Sequence, residues 1–222
     1  MADPRPAVLL DLDGTLIDSR PGIELSLRAA LAEMGHAPEP DLDLTWAIGP
    51  PIADVMARLL TGFGDDRLEE GAATYRRHYG AAGMFHADPY PGIPAALDAL
   101  RADGAALYLA TSKRTVFAMP ILERLGLADR FTAIHGSEPG GAVDHKPELI
   151  AHILSLHGLQ AAGTVMAGDR RYDISGAHAN GVRAVGVLWG YGDRAELEEA
   201  GADGLAAAPQ DLPAAVRAQR AG

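Results

Sequence analysis

From residue 93 onward the chain alternates apolar runs of strand length with amphipathic segments of helix length. That alternation restricts the fold more than any other feature. Helical patterns over 93–102, 116–125, 147–157, 174–180, 194–200 and 211–217 are separated by apolar runs at 106–110, 131–135, 164–167 and 184–188. Several of these helical patterns stop at a glycine, among them Gly104, Gly126, Gly181 and Gly201, as a left-handed C-terminal cap requires. Strands separated by helices imply right-handed crossovers and one parallel sheet. A further apolar run at 7–12, broken only by Asp11, reads as a buried strand of the same sheet.

The stretch between that first strand and residue 88 has a different character. Helical patterns cover about 21–34, with Ser19 as a cap and Pro21 in the first turn, then 52–60 and 66–79. In the last of these Leu68, Ala72 and Tyr75 share a face. No strand is expected between 16 and 85, and a Pro/Gly-punctuated stretch follows at 88–92. The expected architecture is α/β: a parallel-sheet core over 1–16 and 89–222, and an inserted all-helical cap over 17–88. The expected hinges are Ser19 with Arg20, and residues 86–92.

Composition narrows the function. A length of 222 residues suits a core plus a modest insertion, and 48% apolar with 22% charged residues is ordinary for a globular protein. A formal net charge of −11 argues against general affinity for nucleic acid or an anionic membrane surface. The absence of cysteine excludes disulfides, thiolate zinc sites and a cysteine nucleophile. Residues 1–6 lack the apolar run of a signal peptide, and no stretch approaches the roughly 20 apolar residues of a membrane span. The expectation is a cytoplasmic protein, monomer or homodimer, whose partner is a small molecule.

Four places carry chemistry. The first is Asp11-Leu12-Asp13-Gly14-Thr15. A carboxylate at the carboxyl end of an apolar strand is costly unless paired or bound to a metal, and in open parallel sheets that end is where ligands bind. Asp11 and Asp13 on one face, with a turn at Gly14, would converge on one point, and oxygen ligands of this kind suit Mg2+. The second is Thr111-Ser112-Lys113, at an expected strand-to-helix turn, where hydroxyls and backbone N–H groups hold phosphate oxygens or simply cap a helix. The third is Lys146, before Pro147 at a helix start. Only two of the 19 basic residues are lysine, Lys113 and Lys146, in a chain that otherwise uses arginine. The fourth is the run from Gly168 to Asp173, where Asp169 and Asp173 complete a metal site or Asp173 serves as an N-cap.

An acid pair, hydroxyls, a lysine and a second acid pair at successive strand ends match the four motifs of the haloacid dehalogenase-like hydrolase superfamily. The chain resembles that superfamily over nearly its whole length, and its first motif is highly specific. Within that superfamily the chain looks closest to the phosphoglycolate phosphatase-like and bacterial 5′-nucleotidase-like members, and the segments Ile48-Gly49-Pro50-Pro51, Tyr90-Pro91-Gly92, Ala110-Thr111-Ser112-Lys113 and the glycine-rich run 186–192 resemble the nucleotidase-like branch in particular. The resemblance implies a Rossmann-like core with an α-helical cap. It also implies a Mg2+-dependent phosphatase acting on a small phosphorylated metabolite. In that scheme Asp11 is the nucleophile, forming an aspartyl-phosphate, and Asp13 is the general acid and base. Thr111, Ser112 and Lys146 bind the phosphoryl group. The ion is held by Asp11, the Asp13 backbone carbonyl, Asp169 and Asp173. Cap closure is expected to exclude water.

Alternatives within and outside the superfamily are separable. Asp13 disfavours a dehalogenase, and a lysine-free cap disfavours the phosphonate-cleaving branch. A sugar phosphomutase shares all four motifs, and a non-catalytic regulatory protein is the reading from another class. No phosphate-binding Gly-x-x-x-x-Gly-Lys-Ser/Thr loop is present, and Gly186, Gly190 and Gly192 do not fit a dinucleotide fingerprint. Arg76, Tyr79 and Lys113 are candidate specificity residues, although Arg76 and Arg77 also read as a solvated helix face. Trp46 and Trp189 read as packing residues. His145 stands beside Lys146, either lining the site or on a surface loop.

Overall fold

The computed structural model describes residues 5–138, 140 and 142–220. Most of the 1–6 segment and the last two residues of the expected core therefore lie outside the described residues. The first strand, β1 (Ala7–Leu10), is buried along its whole length. It is followed by the two-residue β2 (Ile17–Asp18) and then by α1 (Arg20–Glu33), α2 (Ile52–Thr61) and α3 (Leu68–Ala81). β3 (Asp88–Pro89) leads into α4 (Ile93–Ala102), β4 (Ala106–Arg114), α5 (Thr115–Arg124) and β5 (Ala133–Ser137). The chain ends with α6 (Lys146–His157), β6 (Thr164–Gly168), α7 (Arg171–His178), β7 (Arg183–Val187), α8 (Arg194–Glu199), β8 (Gly204–Ala206) and α9 (Leu212–Arg220).

Six of these strands form one parallel sheet in the order β5-β4-β1-β6-β7-β8. Successive residues of a strand point to opposite faces. Val8 and Leu10 accordingly pack with α4, α5 and α9 through Leu97, Ile121 and Val216, while Leu9 packs with α6 and α7 through Ile150 and Ile174. The result is a three-layer, Rossmann-like α/β core. The strand order reverses at β1, where β4 lies on one side and β6 on the other. That is the topological switch point at which open parallel sheets place their ligands.

The helices α1, α2 and α3 form a separate block inserted between β1 and β4, the strands of the first and second motifs. Its own apolar residues, among them Leu27, Leu31, Met56, Leu60 and Ala72, continue into the apolar cluster on the α4 side of the sheet. The two chain crossings into and out of this block lie side by side. β2 pairs antiparallel with β3, Ile17 opposite Pro89 and Asp18 opposite Asp88.

Five local expectations differ from what is observed. The strand at 17–18 falls where only helix is expected, because two residues carry no periodicity to read. β8 is missed for the same reason. β4 runs to Arg114 rather than stopping at 110, so Thr111, Ser112 and Lys113 extend the strand through a register shift and do not form a turn. Leu68 opens α3 at 40% exposure and does not share the buried face of Ala72 and Tyr75. Ser19 does precede α1, with Pro21 in the first turn, but its side chain makes no capping bond.

The central position of β1 gives a direct test. Leu9 is fully buried at the middle of the sheet. Leu9→Ala should lower the unfolding free energy by about 2–5 kcal/mol, the range for a large-to-small change in a packed core. Urea denaturation at constant m-value checks it.

Candidate active site

Asp11 follows the last residue of β1 directly, and its backbone N–H donates to Ala167 O of β6 at 3.0 Å. This seats the residue at the carboxyl rim between β4 and β6. The chain then turns at Gly14, whose φ is +83°. A Cβ at Gly14 would stand 2.2 Å from Asp169 Oδ2, so a side chain is barred by space as well as by φ. Gly168 is constrained in the same way: a Cβ there would meet Asp173 Cγ at 2.2 Å. These two glycines clear the room in which the acids of separate loops meet.

Lys146, the first residue of α6, is 3% exposed. Its Nζ lies 2.7 Å from Asp11 Oδ1 and 2.6 Å from Asp173 Oδ1, and donates to Ala110 O at 2.7 Å. Asp173 also accepts from the Arg170 backbone N–H at 3.1 Å, so the N-terminal capping of α7 and the contact to Lys146 are made by the two oxygens of one carboxylate. Asp169 accepts from Thr15 Oγ1 at 3.2 Å and from the Tyr191 N–H at 2.8 Å. Asp11, Asp169 and Asp173 each bring a carboxylate oxygen to a point where all three lie within 4.8 Å of one another, and all three residues are buried.

The electrostatics follow from this crowding. Burial pushes the Asp11 carboxyl up to about 7; Lys146 opposes the rise, and Asp173 and Asp13 add to it. Burial also holds Asp169 well above the carboxylate range, reinforced by Asp173 and Asp11. Burial alone would lower the Lys146 ammonium, but Asp11 and Asp173 outweigh it and hold the lysine above its usual value. Three buried carboxylates thus meet with one buried ammonium, which pairs with two of them, and an oxygen-rich pocket of that charge fits a hard divalent cation.

Asp13 is buried but lies outside the group of three. Its Oδ1 is 2.6 Å from Lys113 Nζ, which also donates to Tyr79 OH of α3 at 2.6 Å. That leaves its backbone carbonyl as the only part of Asp13 that the resemblance assigns to an ion. Thr111 is buried, and its Oγ1 accepts from the Lys113 N–H at 3.2 Å. Asp11, Asp13, Thr111, Ser112 and Lys113 line one pocket together with Tyr75, Arg76 and Tyr79 of α3 and the Gly49–Pro51 loop.

The polar cluster late in α3 divides. Arg77 and His78 reach Glu33 at 2.6 and 2.9 Å on the solvent side, whereas Arg76 and Tyr79 face the pocket. Trp189 donates to Thr15 O at 2.9 Å, and Trp46 lies under the Arg58 guanidinium at 3.8 Å. His145 is exposed and comes no nearer than 3.8 Å to Asp54.

Three residues with structural roles at the site were not singled out from sequence. Tyr191 binds Asp169 through its backbone and, through its hydroxyl, Asp18 and the N–H groups of Ser19 and Arg20. Arg170 pairs with Glu196 at 2.9 Å and donates to the Ile48 carbonyl of the helical block. Arg114 lines the pocket at the end of β4. Tyr191 lies in the glycine-rich run and Arg170 inside the fourth motif, but neither carries a residue type that signals its partner. Among the described residues no helix is long and apolar enough to cross a membrane.

A parallel sheet with acids and a lysine gathered at its switch point defines a class of α/β hydrolase. The chain belongs to the haloacid dehalogenase-like hydrolases, whose family pattern matches residues 8–187. It is 43% identical over 193 residues to a 5′-nucleotidase of Pseudomonas aeruginosa, covering 86% of each chain. It is 39% identical to the tyrosine-protein kinase PtkA of Mycobacterium tuberculosis, covering 83% of this chain and 62% of that protein. A phosphoglycolate phosphatase of Neisseria gonorrhoeae is 34% identical, with 87% of this chain and 84% of that protein covered. Among solved structures, one described as a predicted phosphatase from Clostridium acetobutylicum superposes with a TM-score of 0.91 at 34% identity, covering 97% of this chain and 100% of that one.

The raised Asp11 carboxyl has a consequence for stability. Its folded value of about 7 lies above the ordinary 3.8, so the unfolded chain releases this proton first. The stability tied to the group is complete below about pH 4 and is lost as pH rises through about 7. Metal-free protein should therefore show a lower urea midpoint at pH 8 than at pH 5.5. Asp11→Asn should remove about 2 kcal/mol of that difference, and matched unfolding curves in EDTA check it.

Proposed function

We propose that the protein is a Mg2+-dependent phosphatase that hydrolyses small phosphate monoesters through an aspartyl-phosphate on Asp11. The observation that carries this reading is the position of Asp11: a rim carboxylate held by Lys146, beside two further acids, and open to a pocket lined by Thr111 and Ser112. The names of the Pseudomonas and Neisseria relatives, both hydrolases of phosphate monoesters, support it.

In the first step an Asp11 oxygen attacks phosphorus in line, and the bond from phosphorus to the ester oxygen breaks. Asp13 gives its proton to the departing alcohol. In the second step Asp13, now a carboxylate, takes a proton from water as the water oxygen attacks the acyl phosphate, releasing inorganic phosphate and restoring Asp11. Lys146 fixes the Asp11 carboxylate and offsets charge on the phosphoryl oxygens, with Thr111 and Ser112 donating to them. Asp11, Asp169 and Asp173 would hold the ion, with Asp13 contributing its backbone carbonyl. The ion would supply neutralisation of the two anions that must approach each other.

The helical block over 17–88 acts in this reading as a cap. It closes on the pocket during transfer, with the paired β2 and β3 as its stem. The protein acts in the cytoplasm, as monomer or homodimer, on a small phosphorylated metabolite and on neither nucleic acid nor membrane.

A phosphate-release screen with Mg2+ over phosphoglycolate, nucleoside monophosphates and sugar phosphates tests the proposal. Release should stop in excess EDTA and return with added Mg2+. Asp11→Asn should lose at least about a thousandfold in kcat, as expected when a nucleophile is removed. Isomerised sugar phosphate, or phosphotyrosine on an added peptide in place of free phosphate, would overturn it.

A further inference from the structure

Many surface arginines of this acidic chain meet acids. Arg20 pairs with Glu24, Arg77 with Glu33, Arg130 with Asp98 and Arg194 with Glu198. Arg76 of α3 and Arg114 at the end of β4 behave differently. Both line the pocket that holds Asp11. Their side chains reach no hydrogen-bond or ion-pair partner among the described residues, and the Arg76 Nε is fully buried with none.

Two guanidinium groups brought together from different subdomains repel each other. Burial opposes the charge on Arg76, the Arg114 charge opposes it further, and the acid acting in the other direction is Asp144. Asp144 lines the same pocket, but its Oδ1 is itself buried without a partner. A partly desolvated cation pair of this kind is costly unless something anionic completes it. The net charge of −11 makes the local excess of positive charge more distinctive. The same pocket is lined by Tyr75, Tyr79, Phe117 and Ile52, which offer contact to a short carbon linker, and its third cation, Lys113, is already engaged by Asp13 and the Tyr79 hydroxyl.

We propose that Arg76 and Arg114 form a second anion subsite, and that the substrate is a phosphate monoester bearing a second anionic group, a carboxylate or another phosphate, at the end remote from the reacting phosphorus. The proposal rests on the reading of Asp11 as the nucleophile. Guanidinium groups bind both kinds of anion through paired N–H donors. The two arginines come from opposite sides of the pocket, so an anion between them also draws α3 toward β4. A doubly anionic substrate would therefore favour the closed arrangement of cap and core.

The test uses non-hydrolysable probes, so it does not require turnover. Calorimetry compares 3-phosphonopropionate and propane-1,3-bisphosphonate with propylphosphonate, which has the same carbon chain and no second charge. Wild-type protein should bind at least one charged probe about tenfold or more tightly than propylphosphonate, and the tighter of the two names the group. In Arg76→Met and Arg114→Met that ratio should fall to near one, while Arg76→Lys should keep part of it. A wild-type ratio near one, or a ratio unchanged in both methionine variants, overturns the subsite. A clear ratio in a protein that releases no phosphate from any ester would leave the subsite standing and sink the phosphatase reading instead.

Discussion

The site depends on one buried ammonium. Lys146 stands at the first position of α6 and binds Asp11, Asp173 and the carbonyl of Ala110. Those partners belong to three different stretches of the rim: the loop after β1, the first turn of α7, and β4. The ladder between β4 and β5 shifts register just beyond Ala110, where the strand turns its following residues to the pocket. Without the lysine, Asp11, Asp169 and Asp173 would be anions held together in a region closed to water, and removing one partner of a buried pair typically costs about 3–5 kcal/mol. One cation against three acids is still too little positive charge. That imbalance is what raises the Asp11 and Asp169 carboxyls and what makes the cluster receptive to a further cation.

The parts of this arrangement that were legible in the sequence are those with a cost attached. Asp11 is visible because an apolar strand should not contain it. Lys146 is visible because the chain otherwise uses arginine, and the strands of the core are visible because a sheet covered on both faces needs unbroken apolar runs. The short pairs β2 and β3, and the three-residue β8, carry no period long enough to detect. Strand order is equally invisible, since nothing in a run such as Thr164–Gly168 says that it lies next to β1. The extension of β4 through Lys113 was masked by the polar residues 111–114, which read as a turn until their neighbours are known. The contacts that orient the acids were hidden for another reason. Lys113 reaches Asp13 across 100 residues, and Tyr191 reaches Asp169 partly through its backbone N–H, which any residue possesses. Asp173 illustrates the opposite case. Cap and site residue were competing readings of it, and geometry satisfies both with one carboxylate.

The helical block is tied to the core by residues that also touch the acids. Lys113 joins Tyr79 of α3 to Asp13. Arg170, whose backbone N–H is bonded to Asp173, reaches across to the Ile48 carbonyl. Tyr191 holds Asp169 with its backbone and, with its hydroxyl, the N–H groups at the start of α1. Each link is therefore a hydrogen bond to the block and a hydrogen bond to an acid, made by the same residue. A displacement of the block large enough to admit a substrate must break or stretch at least one of them, and the acid at its other end then loses a fixed donor. Rigid hydrogen-bonded groups of this kind switch between discrete arrangements rather than deforming smoothly. The posture of the helices and the orientation of Asp13 and Asp169 are consequently one variable, not two. In the proposed reading, a substrate that closes the pocket would set the acids in place by the same motion.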